Sequence, residues 1–209
     1  PVQTFIETSV FFQFNPNLTT LSENAIKNQV QDVITNYFST NTGKFKQSFR
    51  RSNLLTVVDE VSPSILSSRC SVGIQQRITP TLTAISDYTL RMPQAIASPD
   101  DVNRILTSTA FTFQNKNCII RNRLNSNILE VFDTIASAIV VDNVGSYTND
   151  TISLVGLQID AIPSGEGFVK ITATPDNQSF VTPFRQDVIK HDLGRSLVSV
   201  VEVSTDVLN

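Results

Sequence analysis

The stretch RCSVGIQQRI, residues 69–78, is where the hydrophobic period of the chain changes. Cys70, Val72, Ile74 and Ile78 alternate with Arg69, Ser71, Gly73, Gln75 and Arg77. Successive side chains of a strand point to opposite faces, so this spacing predicts a half-buried strand with one wet face. Upstream the period is 3.6. Ala25, Ile26, Val30, Val33, Ile34, Tyr37 and Phe38 fall on one stripe of a helix, with Lys27, Asn28, Gln31, Asp32 and Thr35 on the opposite side. Thr20 and Glu23 read as its capping box, and Gly43 as the residue that ends it. A second, shorter helix carries Leu54, Leu55, Val57, Val58 and Val61, with Ser52 as the expected cap and Pro63 as the stop. Val2 to Phe14 reads as a first strand closed by Asn15-Pro16-Asn17. After Pro80, Leu82 to Leu90 reads as another. Residues 1–91 thus spell a β-α-α-β-β unit.

Downstream the pattern is strands and turns. Met92 to Asp101, with Pro93, Pro99 and an acidic pair, has the composition of a linker, which places a boundary between domains 1–92 and 93–209. Beyond it, strands are expected around Ile105–Phe113, Cys118–Ile120, Ile128–Phe132, Ile135–Val141, Ile152–Ile162, Phe168–Thr174, Val188–Ile189 and Leu197–Val203. Asn115-Lys116-Asn117, Gly145 to Asp150 and Pro163 to Gly167 are expected as turns. The fold class is α+β: the N-terminal unit followed by a mostly antiparallel β domain, a sandwich or partly open barrel.

The 209 residues suffice for a core without a disulfide or metal staple. Only 17% of them are charged, against about 25% in an average domain, and the net charge is −3. Ser, Thr, Asn and Gln fill the gap, a composition that suits sheets and wet contact surfaces. Neither nucleic-acid binding nor membrane insertion is expected, because the chain is not basic and holds no run of about 18 apolar residues. Cys70 and Cys118 lie in strand-like stretches and read as buried, reduced thiols of a protein made in a cytoplasm. A chain that opens on Pro1 directly into strand sequence reads as a fragment or a processed product.

The groupings that carry catalysis are missing. His191 is the one histidine, and its neighbour Asp192 points to the opposite face of a strand, so it reads as a surface or loop histidine. One His and two distant Cys make no metal site, and no cofactor is expected. Asp59-Glu60 and Asp100-Asp101 read as capping or solvated pairs, and Gly165 and Gly167 as hairpin glycines without a phosphate-binding helix. The one charge cluster is Lys44, Lys46, Arg50 and Arg51, interleaved with Phe45 and Phe49. Its expected arrangement is two phenylalanines packed beneath the helices and four cations facing outward as a partner-contact patch.

The order of these elements resembles the baseplate J-like and wedge proteins of contractile-tailed phages. The strand, the helix ending in Tyr37-Phe38, the glycine loop and the short helix around Ser52-Asn53-Leu54-Leu55 carry the first half of the resemblance. The second half rests on Phe111-Thr112-Phe113, Cys118-Ile119-Ile120-Arg121, Asn143-Val144-Gly145-Ser146-Tyr147, residues 169–175 and residues 184–189. One departure is Asn149-Asp150 where the turn would carry glycine; Asn tolerates positive φ. The resemblance implies a structural, non-enzymatic fragment of a T-even-type wedge subunit of the virion tail baseplate. Such a subunit would be assembled in the host cytoplasm. It would make homodimer and ring contacts, dock other wedge and tail proteins, and rearrange when the sheath contracts. The alternative reading is a β-rich carbohydrate- or receptor-binding module. A hydrolase with a sequence-scattered acid pair is a third.

Overall fold

The computed structural model describes residues 3–45, 47–185 and 187–202. In chain order the elements are β1 (Gln3–Phe14), α1 (Glu23–Asn41), β2 (Phe49–Arg50), α2 (Arg51–Asp59), β3 (Ile65–Ile78), β4 (Ile85–Arg91), β5 (Leu106–Ser108) and β6 (Phe111–Phe113). They continue with β7 (Lys116–Asn122), β8 (Ile128–Asp133), β9 (Ala138–Thr148), β10 (Thr151–Gln158) and β11 (Val169–Ala173). The last three are β12 (Phe180–Val181), β13 (Val188–His191) and β14 (Leu197–Glu202). The protein is mostly β. Its mixed sheet has the order β13-β1-β3-β11-β5-β7-β8-β9-β10-β4 and is not closed into a barrel.

The chain forms two compact units, residues 1–72 with 178–209, and residues 73–177. In the first, β1 pairs in parallel with β13 over Gln3–Ile6 and with β14 over Ser9–Phe14. The apolar stripe of α1 buries Ile26, Val30, Ile34 and Phe38, while Ala25, Val33 and Tyr37 are half-buried. Each fully buried side chain of this kind contributes about 1.5–3 kcal/mol before entropy is counted. The helix start differs from the capping-box expectation. Ser22, not Thr20, is the N-cap, and its side chain accepts the Ala25 N–H. The far end is as read: Gly43 has φ +89°, and its N–H donates to the Ile189 carbonyl, tying the helix exit to β13. For α2 the cap position is Arg50, with no side-chain capping bond, and Ser52 lies inside the helix. Next to the backbone pairing of β2 with β12, α2 starts two residues earlier than a Ser52 cap would set it.

In the second unit every strand pair is antiparallel, from the Gly73–Ile78 part of β3 through β11, β5, β7, β8, β9 and β10 to β4, with β6 beside β7. The β6–β7 turn is Gln114-Asn115, with φ of +50° and +60° at the two central residues, and Lys116 already belongs to β7. Gly145, expected in a turn, sits inside β9; the turn itself is Asn149-Asp150, with Asn149 at φ +54°. Gly165 and Gly167 lie in a turn joining β10 to β11, which do not pair, so they are not hairpin glycines. Ile135 is in the β8–β9 turn and 81% exposed, outside the strand expected there. The wet face expected for residues 69–78 is interrupted at Gln75. That residue is fully buried, its Oε1 accepting from Arg77 Nε–H at 3.1 Å. Residues 92–101, read as a linker, lie within this unit. The N–H groups of Met92, Ile96 and Ala97 donate to Asp150, Asn149 and Thr174 carbonyls.

Candidate functional site

The basic loop follows α1 and runs into β2. Lys44 and Phe45 are exposed, Phe45 by 58%, whereas Phe49 is buried. Only one of the two phenylalanines therefore packs inward, against the expectation for the pair. Phe49 stacks on Phe38 with ring centroids 5.5 Å apart and planes 8° from parallel. Tyr37 meets both rings edge-on, and its hydroxyl donates to the Arg50 carbonyl at 3.3 Å. Desolvation raises the Tyr37 pKa, with that hydrogen bond working the other way.

The four cations do not act alike. Arg50 is exposed on β2 and stands directly opposite Phe180 of β12, itself 44% exposed. Arg51 turns inward, its guanidinium donating to the Cys70 carbonyl at 3.5 Å. Lys46 lies outside the described residues. What the fold brings together at the surface is thus Arg50 and Phe180, a cation beside an aromatic ring, while Lys44 and Phe45 are exposed on the loop that leads into β2. Phe180 escaped the sequence reading because it is some 130 residues from Arg50, and only the β2–β12 pairing joins them. Cys70 beneath is buried, and burial pushes its thiol up to about 12 despite Arg51, so it is protonated and inert near neutrality.

His191 is neither a loop nor a surface residue: it is the last residue of β13 and half-buried. Its ring stacks on Phe38 with centroids 3.8 Å apart, so Phe49, Phe38 and His191 form one column. His191 Nε2 lies 3.0 Å from Thr8 Oγ1 and 2.8 Å from Ser196 Oγ. Ser196 Oγ–H donates to the Asp192 carbonyl, and the same oxygen accepts the Thr8 N–H. With its one proton committed to that carbonyl, Ser196 accepts from His191 Nε2–H. A general base must accept the hydroxyl proton of its nucleophile, so this pair is wired in the opposite sense. Desolvation also holds the imidazole down to about 4, against the pull of the Asp192 charge, which makes it a weak base. The network fastens β13 and the following turn to β1.

Of the two acidic pairs, Asp100 caps backbone N–H groups of the following turn, whereas Asp59, at the end of α2, takes a side-chain hydroxyl instead. Asp100 accepts from Val102 N–H, Asn103 N–H and Asn103 Nδ2, and these bonds hold its carboxyl at about 2. Asp59 Oδ1 accepts from Ser68 Oγ–H. Among the described residues no group of three or more His, Cys, Asp or Glu side chains is placed to hold a metal ion, and no helix is long and apolar enough to cross a membrane.

Residues 3–77 match the family model of the baseplate structural protein gp6, C-terminal domain III. The matched stretch is about a third of the chain and runs from the start of β1 to the penultimate residue of β3. It supports a structural role in a phage baseplate. No curated protein matches the chain.

Proposed function

We propose that this chain is a structural part of a phage tail baseplate wedge. It assembles with its own copies into a dimer and ring, docks neighbouring baseplate and tail proteins, and shifts against them when the sheath contracts. The observation that carries the reading is the match of residues 3–77 to a baseplate domain. The patch of Lys44, Phe45, Arg50 and Phe180 supplies a contact surface of the right chemistry. Aromatic residues and arginine are enriched where protein surfaces meet, and exposed cations steer acidic partners. Lys46 and Arg51 belong to the same proposal, Lys46 by sequence neighbourhood and Arg51 as the residue that anchors the patch. The reading places the protein in the virion, assembled in the host cytoplasm, with proteins as its partners and neither nucleic acid nor a membrane.

Light scattering across a dilution series tests it. The expected result is a dimer or larger species that dissociates on dilution. The double variant Lys44→Glu/Arg50→Glu should shift that dissociation to about five-fold higher concentration or more, since each rim charge is worth up to about 1 kcal/mol. A strict monomer at high concentration would sink self-assembly for this chain. A dimer indifferent to the double variant would remove the patch from the interface.

A further inference from the structure

The seam between α1 and the β13–β14 segment of the first unit holds an open cavity of about 290 Å³. Gln31, Asp32 and Thr35 line it from the helix, Thr35 lying four residues from Gln31 and three from Asp32 and so beside both. Ile34 and, from β14, Leu197 and Val198 supply apolar surface. Asp32 is exposed and makes no ion pair with a described residue. Thr35 Oγ1–H donates to the Gln31 carbonyl, which leaves the hydroxyl's lone pairs as acceptors. At the floor, His191 and Ser196 satisfy one another and Thr8, so the floor adds no charge. The cavity therefore offers one negative charge, several acceptors and aliphatic walls. That combination fits a side chain with an apolar stem and a cationic head.

A second depression of about 320 Å³ shares Thr35, His191 and Leu193 with the first and continues to Gly43 and Lys190. The two form one groove, with Asp32 near one end and Lys190 near the other. Leu193 and Leu197, 56% and 64% exposed, stand along it. A groove of this length and polarity suits an extended chain better than an isolated small molecule.

We propose that the groove between α1 and β13–β14 docks an extended segment of a partner protein, seating one of its Lys or Arg side chains beside Asp32. The groove ends at Gly43, next to Lys44 of the basic loop, and the proposal does not depend on the baseplate reading. The test is an NMR titration of the isotopically labelled full chain with blocked arginine and lysine amides at up to tens of millimolar, with blocked norleucine and glutamate amides as controls. Saturable shifts at Asp32, Thr35 and Leu197 with the cationic probes, weak ones with norleucine and none with glutamate are expected. Asp32→Asn should weaken binding about three- to five-fold, the range of an exposed ion pair, and Asp32→Glu should restore most of it. Equal response to norleucine, indifference to Asp32→Asn in a variant whose remaining spectrum is unchanged, or no response at all would overturn the proposal. So would the same shifts appearing on concentrating the protein without probe, because the occupant would then be a second copy.

Discussion

Among single residues, His191 carries the most tertiary information. Its ring lies on Phe38 and its Nε2 between Thr8 and Ser196. Burial lowers its pKa from 6.5 to about 4, so the folded protein holds it neutral. Between those two values the unfolded chain binds a proton that the folded one refuses. Stability is therefore fully present above about pH 6.5 and falls as the pH drops toward 4, by about 2–3 kcal/mol from this group. Urea unfolding at neutral pH and near pH 4.5 checks it against His191→Phe, which keeps a ring on Phe38 but does not titrate. Wild type should lose more stability on acidification than the variant; equal losses would refute the assignment. Gly145 is the second such residue. Its φ is +139°, and a Cβ built there would lie 1.9 Å from the Ser153 carbonyl oxygen on the neighbouring strand. Gly145→Ala should cost about 3 kcal/mol or more, read as a drop in the urea midpoint. A variant within about 0.5 kcal/mol of wild type would mean that β9 and β10 separate there easily.

At the scale of elements, α1 shows where local rules suffice and where they do not. Its stripe and its end at Gly43 are legible from spacing alone. Its start is ambiguous, because Thr19, Thr20 and Ser22 all carry a capping hydroxyl. The chain settles on Ser22, whose oxygen faces the Ala25 N–H, while Thr19 Oγ1 takes the Leu21 N–H in the preceding turn. Ser22→Ala should therefore cost about 1 kcal/mol in thermal or urea unfolding and Thr20→Ala close to nothing. The reverse order would return the cap to Thr20. The buried amide of Asn122 makes the complementary point. It accepts from Ile105 and Leu106 N–H and donates to the Arg123 and Ser126 carbonyls. Two residues beyond Ile120, the alternation of β7 places Asn122 on the inward face, but nothing local says that another segment's backbone will claim its amide.

At the scale of the molecule, the second unit is one uninterrupted run of chain, residues 73–177, whereas the first needs both ends of the sequence. Residues 73–177 alone should fold, giving a dispersed NMR spectrum and a single cooperative urea transition. If the domain boundary instead lies at 92/93, as the proline-rich punctuation suggests, residues 93–209 will be the stable piece and 73–177 will not. Which segments extend, which coil and which face of α1 turns inward are legible in the linear chain, because periodicity and turn chemistry act within a few residues. The pairing of β13 and β14 with β1, of Arg50 with Phe180, and of His191 with Thr8 and Ser196 is not. The β1, Arg50–Phe180 and Thr8–His191 pairings join segments more than a hundred residues apart, and a strand's own pattern says that it needs a neighbour without saying which one. The choice is made by closing long loops against the burial those pairings gain, a balance struck over the whole chain and readable only once it has folded.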